Sequence, residues 1–248
     1  MKCEKDMLRL FQFEVIDLSK TYPLIQVENV NQRYSIGTHT VDALNNINLS
    51  IYPQEFIMIM GPSGSGKSTL INVMAGLEQP SAGIVRIENQ DLRALGDKAL
   101  CEIRRYKLGF VFQFFNLHPV LTAKENVELP MLIAGVKRNL REKRALELLN
   151  IVNLINRKHH LPHELSGGEK QRIGIARSLA NDPEVILADE PTGDLDSTIG
   201  HEIINLLIEL NKVHGKTIIC VTHDEEMLKS GMRLLKMEDG RIISDDYL

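Results

Sequence analysis

Tryptophan is absent from this chain, and aromatic residues make up only 5% of it. No interfacial aromatic belt is suggested. No run approaches the roughly 18 consecutive apolar residues of a membrane-spanning helix. Work at a membrane therefore implies a peripheral subunit. Cysteine is scarce: Cys3, Cys101 and Cys220 have no metal-ligand spacing. Their odd number, with no secretory leader, fits a reducing cytosol. The N-terminus mixes Lys, Glu and Asp among apolar residues, unlike a signal peptide. Basic excess is also lacking. The net charge is −4 and no basic stretch is long enough to act as a nucleic-acid arm, so nucleic acid is not an expected partner.

What is present suits one large α/β domain: 248 residues, 43% of them hydrophobic. Its centre is Gly61-Pro62-Ser63-Gly64-Ser65-Gly66-Lys67-Ser68-Thr69. An apolar run, Phe56–Met60, leads in, and a stretch with Leu70, Ile71, Val73 and Met74 at helical spacing leads out. Strand, glycine-rich loop and helix in that order form a phosphate loop. The glycines let successive N–H groups point inward around a polyphosphate, and the helix start adds its positive dipole end. Lys67 should reach the β and γ phosphates, and the Ser68 hydroxyl should hold Mg²⁺.

Residues 1–25 are the least informative. Phe11–Ile16 reads as a strand, and residues 14–22 echo residues 26–34: a short strand, a polar turn and a tyrosine. The second copy is favoured as the edge strand before the nucleotide site, because it runs into the alternating Val41–Ile51. Tyr34 is then the candidate for stacking on adenine, with Tyr22 the alternative. Pro80–Gly83 is a turn and Ile84–Ile87 a strand. Residues 91–106 are charged with helical spacing.

Gly109–Phe112 is a buried strand ending in Gln113, whose amide can ligate Mg²⁺ and orient water, or be only a solvated strand end. Pro119 to about Pro162 is an all-helical insertion, with Thr122 and Glu125 at capping-box spacing and a helix over Arg141–Leu154. Ser166 and Glu169 repeat that spacing around Gly167 and Gly168, which makes a second anion-facing helix start. One phosphate loop plus one further phosphate-facing helix start suggests that two copies cooperate, each closing the other's nucleotide.

Val185–Ala188 delivers Asp189 and Glu190 at a strand end, the sheet edge where α/β folds bind ligands. Asp189 would hold Mg²⁺ through its water shell, and Glu190 would polarise the attacking water. Pro191–Asp196 follows as a loop from which Asp196 could reach a partner subunit. The strand Thr217–Thr222 ends in His223, which can donate to a γ-phosphate oxygen. Leu234–Ile243 reads as a closing hairpin around Glu238-Asp239-Gly240.

The ordered set of Gly61–Thr69, Gln113, Leu165–Gln171, Val185–Glu190, Gly193–Asp196 and His223 resembles the signature set of ABC-transporter ATPases, from about residue 26 to the end. The resemblance implies an ATP-binding α/β core of the phosphate-loop type, an N-terminal antiparallel β subdomain and a helical subdomain at about residues 101–165. It leaves residues 1–25 as an extension of open role. It further implies two copies that sandwich two ATP molecules. Gly109–Gln113, Leu121–Ala123, Glu125–Pro130 and Pro191–Ser197 resemble the lipoprotein-release and macrolide-export branch. Asp194 departs from the Asn or Ala usual there, and Glu169 from the common Gln.

The expectation is an ATPase subunit, peripheral on the cytoplasmic face of the inner membrane, that powers export or release through a separate permease. Its site would comprise Lys67, Gln113, Glu190 and His223 for catalysis and Ser68, Gln113 and Asp189 for Mg²⁺. Tyr34, Gly61–Thr69, Ser166–Glu169 and Asp196 would hold ATP. The alternative is a regulatory ATPase that drives a membrane mechanotransmitter of the cell-wall or division type without moving a solute.

Overall fold

The computed structural model describes residues 22–37 and 39–248. The possible strand at residues 11–16 and the first tyrosine-bearing echo lie outside them, except for Tyr22, which is exposed.

The first half of the chain runs β1 (Ile25–Ile36), β2 (His39–Ile51), β3 (Phe56–Met60), α1 (Lys67–Met74), β4 (Ala82–Ile87), β5 (Gln90–Asp91), α2 (Asp97–Tyr106) and β6 (Leu108–Phe112). The second runs α3 (Ala123–Ile133), α4 (Arg138–Ile151), α5 (Gly167–Ser178), β7 (Val185–Asp189), α6 (Ser197–Lys212), β8 (Thr217–Val221), β9 (Arg233–Glu238) and β10 (Arg241–Tyr247). They build two sheets: an antiparallel one, β2-β1-β4-β5, and a six-stranded one, β10-β9-β3-β8-β7-β6. In the second, β9, β3, β8, β7 and β6 are parallel and only β10 is antiparallel.

The period-2 alternation of the central strands divides the core in two. Met58, Ile186, Ala188, Ile218 and Cys220 face a core shared with α3–α6. Their neighbours Ile57, Ile59, Val185, Leu187, Ile219 and Val221 face a second core shared with α1 and the antiparallel sheet. A parallel sheet covered on both faces needs such continuous apolar runs. In β2 the alternation slips between Leu44 and Ile47, where Asn46 takes φ 52° and the pairing with β1 shifts register. Asn is one of the few side chains that tolerates this conformation.

The second tyrosine-bearing stretch is β1, paired with β2 along its length as its sequence pattern suggests. Residues 91–106 divide into a 3₁₀ turn, Leu92–Ala94, capped by Asp91, and then α2. The span 101–165 is not continuously helical. It contains β6, which lies parallel to β7 inside the six-stranded sheet. Its apolar run needs cover on both faces, and α5 packs so close that a Cβ on Gly109 would stand 2.6 Å from the Ser178 carbonyl. The helices beyond it are α3 and α4, leading to α5. Thr122 and Glu125 form the expected capping box on α3. Buried Asn126 ties down the preceding loop: it accepts from the His118 N–H at 2.7 Å and donates to the Leu121 carbonyl at 2.9 Å.

Among the described residues no helix is long and apolar enough to cross a membrane.

Candidate nucleotide site

The strands β3, β7, β8 and β6 are parallel, so their C-terminal ends bring four loops to one sheet edge. Gly61–Gly66 follows β3 and turns directly into α1. Gly61 and Gly66 allow close packing that no other residue permits. A Cβ on Gly66, at φ 97°, would stand 2.3 Å from the Ala43 carbonyl, and one on Gly61 would stand 2.1 Å from that of Met237. The loop is thus wedged between β2 and the end of β9.

Lys67 is 6% exposed, and its Nζ donates to the carbonyls of Gly61 and Pro62, both at 2.8 Å. An ammonium has three N–H groups, so one remains for an anion. The Ser65 hydroxyl is buried without a partner in the same loop. A buried polar group left unpaired is costly unless something bonds it. The first-turn N–H groups of α1 have no partner within the helix either. These orphaned donors fit a polyphosphate.

Ser68 donates from Oγ to Asp189 Oδ1 at 3.0 Å, across from the first turn of α1 to the end of β7. Burial, reinforced by the Glu190 carboxylate, holds the Asp189 carboxyl above its ordinary range against the Ser68 hydrogen bond and the Lys67 charge. A hydroxyl and a carboxylate strained by burial suit a hard divalent cation with oxygen ligands.

Glu190 leaves the strand with φ 47°, an unusual conformation for a residue with a side chain. It is held by its own N–H donating to the Val221 carbonyl at 3.0 Å and by Gly193 N–H donating to its carbonyl at 3.1 Å. That turn aims the carboxylate away from Asp189 and toward β8, where His223 Nδ1 lies 3.4 Å from Glu190 Oε1. Gln113 Nε2 donates to Asp194 Oδ1 at 3.2 Å, on the loop that follows Glu190. Gly193 makes room, since a Cβ there would meet that amide at 3.0 Å. The Tyr34 hydroxyl donates to Glu78 and lies beside Thr69, which places the ring next to the start of α1.

A second cluster stands apart. Ser166 caps α5: its Oγ accepts from Glu169 N–H at 3.2 Å, and Glu169 Oε2 accepts from Ser166 N–H at 2.8 Å. Asp196 caps α6 through Ile199 N–H at 3.0 Å. The two helix starts abut, since a Cβ on Gly167 would stand 3.0 Å from Leu195 Cδ2. None of the polar contacts that Ser166, Glu169 and Asp196 make reaches Gly61–Thr69. The start of α5 and the phosphate loop therefore share no polar contact through these residues.

The sequence reasoning placed Gln171 in the Leu165–Gln171 motif and noted Asp194, but gave neither a contact. Gln171 is fully buried and donates to the Phe112 carbonyl at 3.2 Å and the Pro191 carbonyl at 2.7 Å, so α5 holds both the β6 end and the Glu190 turn. Its signal was a polar residue on the stripe it shares with buried Gly168 and Ile175. Asp194 and Glu78 bond Gln113 and Tyr34, and no local pattern marks either partner.

Fold and site define a phosphate-loop nucleotide-binding protein with a covering sheet and a helical arm. The family model for ABC transporters matches residues 44–193. An ABC transporter ATP-binding protein of Thermotoga maritima is 47% identical over 225 residues, 91% of this chain and 94% of that one. A macrolide export ATP-binding/permease protein of Sodalis glossinidius is 46% identical over 91% of this chain but only 34% of its own length. A dimeric ATP-binding cassette of Methanocaldococcus jannaschii, solved in a post-hydrolysis state with ADP and phosphate, superposes with a TM-score of 0.83. It is 46% identical and covers 90% of this chain and 98% of that one. The chain belongs to the ABC transporter family and is one of its ATP-hydrolysing, ATP-binding subunits.

Proposed function

We propose that two copies of this chain enclose two ATP molecules, each between Gly61–Thr69 of one copy and Ser166-Gly167-Gly168 of the other. We propose also that their hydrolysis powers export or release of a substrate through a separate membrane permease. One observation carries the reading: both halves of an anion site stand on one chain without meeting, so a second copy completes them.

Lys67 offers its remaining N–H to the β and γ phosphates, and the N–H groups at the start of α1 bind the same oxygens. Tyr34 stacks on the adenine and Asp196 approaches the partner. Ser68, Asp189 and Gln113 hold Mg²⁺, which when bound neutralises the charge that develops on the phosphates. Glu190 Oε accepts a hydrogen bond from water and aims its oxygen at the γ phosphorus. As the bond from the water oxygen to the γ phosphorus forms, the water's proton passes to the Glu190 carboxylate, the bond from phosphorus to the bridging oxygen breaks, and ADP departs with the electron pair. His223, beside Glu190, donates to a γ-phosphate oxygen. Closing the dimer excludes water and strengthens each of these interactions.

The permease is assigned to a cleft of about 380 Å³ where the helical arm meets the sheet, lined by Arg104, Phe110, Phe112, Pro130, Ile133 and Arg177. It lies just before Gln113, which bonds the Glu190 loop. Closure can therefore pass from the γ phosphate to the cleft through Gln113. The subunit then sits peripherally on the cytoplasmic face of the inner membrane. The macrolide-exporter relative, which names ATP-binding and permease functions in one protein, supports an export partner.

Glu190→Gln is the test. With ATP and Mg²⁺ it should accumulate as a dimer with steady-state ATPase nearly abolished, and it should capture a transmembrane partner from solubilised membranes. Full ATPase in this variant overturns the role of Glu190. A dimer without any membrane partner overturns the transport reading, and capture of a membrane protein that moves no solute favours mechanotransmission.

A further inference from the structure

Glu169 stands at the third position of α5, in the same turn as Gly167 and Gly168. Its carboxylate suits the capping box and the helix dipole. It is also a negative charge within one turn of the N–H groups assigned to a polyphosphate, and like charges at that range repel. Both of its oxygens are engaged. Oε2 accepts from Ser166 N–H at 2.8 Å, and Oε1 accepts from Arg157 Nε at 2.8 Å.

Arg157 ends the 3₁₀ turn Ile155–Arg157, anchored by its own N–H to the Leu154 carbonyl at 2.9 Å. Its Nη1 lies 3.4 Å from His160 Nε2. The side chain is 47% exposed and that of Glu169 23%. An exposed pair of this kind contributes little to stability, so the fold alone gives weak reason for it.

We propose that Arg157 is a positioning residue for the nucleotide sandwich: it neutralises Glu169, so that the start of α5 can receive the partner copy's ATP phosphates. This rests on the reading that Ser166–Gly168 faces that ATP. The guanidinium cancels the charge while leaving the cap intact, which permits a glutamate where a neutral side chain would need no counter-ion. The Glu169 carboxyl is held below the usual carboxylate range, chiefly by the Ser166 N–H and then by Arg157, so it remains ionised at neutral pH when Arg157 is removed.

The experiment measures the ATP concentration for half-maximal dimerisation, by sedimentation velocity with Mg²⁺, in the non-hydrolysing Glu190→Gln protein. Arg157→Ala should need about tenfold more ATP, through repulsion between Glu169 and the phosphates that closure of the dimer removes from solvent screening. Arg157→Lys should recover most of the loss. The double variant Arg157→Ala/Glu169→Gln should return to within about twofold of Glu169→Gln alone, since no charge is then left to neutralise. An unchanged requirement in Arg157→Ala overturns the proposal. So does a penalty that persists in the Glu169→Gln background, which would make Arg157 a prop for the loop. If Glu190→Gln itself fails to dimerise at any ATP concentration, the sandwich falls and this inference with it. If it dimerises while Arg157→Ala behaves like its parent, only this inference falls.

Discussion

The two halves of the nucleotide site are built by opposite means. The phosphate loop hangs on a strand buried along its whole length, and its donors are left wanting: Lys67 with an N–H to spare and the Ser65 hydroxyl with no partner. The Ser166–Glu169 half lies at the protein's surface and is satisfied from within by a capping box and an ion pair. The first half holds unmet hydrogen-bonding capacity and can bind nucleotide alone. The second has little reason to bind anything until another subunit presents phosphates to it. On the proposed reading affinity thus belongs to one half, and the other makes dimerisation conditional on the ligand.

That contrast can be broken most severely at the chemical end. Glu190→Gln should lower steady-state ATPase by about 10²–10⁴-fold, the range for loss of a general base, with ATP binding kept. Turnover and equilibrium nucleotide binding, measured together, check this. Lys67→Ala should weaken ATP binding of the monomer by about 100-fold, since a charge-assisted contact to phosphate is lost. Ser166→Glu should leave monomer binding within about twofold and abolish only the ATP-driven dimer. Titration with a fluorescent ATP analogue separates the two variants.

A smaller effect tests the link between the halves. Gln171→Leu removes the Nε2 donor shared by the Phe112 and Pro191 carbonyls and should cost about 1–3 kcal/mol in urea unfolding. Smaller still is a gain. Asp189 is buried with its folded-state pKa raised, so its ionised form costs stability above that pKa and the cost disappears on acidification below it. Asp189→Asn should therefore melt slightly higher than the parent at neutral pH without metal, with the difference shrinking as the pH falls from the raised pKa and gone below the ordinary carboxylate range. The same variant should lose hydrolysis, a stability cost accepted for function.

How much was legible in the sequence follows the same division. Lys67, Ser68, Asp189 and Glu190 could be found because their chemistry is bound to a local pattern: glycine spacing in one case, an aliphatic strand ending in acids in the other. The capping boxes at Thr122 and Ser166 are local as well, and both formed as their spacing requires. The partners of Gln113, Tyr34 and Glu169 were hidden because Asp194, Glu78 and Arg157 meet them only through the fold. The boundary of the helical arm was blurred for a related reason: β6 is a short apolar run between helices, and only its pairing with β7 makes it part of the sheet.

The central claim, that each ATP site is shared between two copies, is tested most directly by mixing two inactive proteins. Lys67→Ala retains a sound Ser166 half, and Ser166→Glu retains a sound phosphate loop. Neither variant pairs with itself on ATP, so the ATP-driven dimers in an equimolar mixture should be mixed, each with one intact site of two, and ATPase should reappear at up to about half of the parent rate if the sites act independently. A mixture no more active than the two proteins measured apart would contradict the shared site and return all of the chemistry to a single chain.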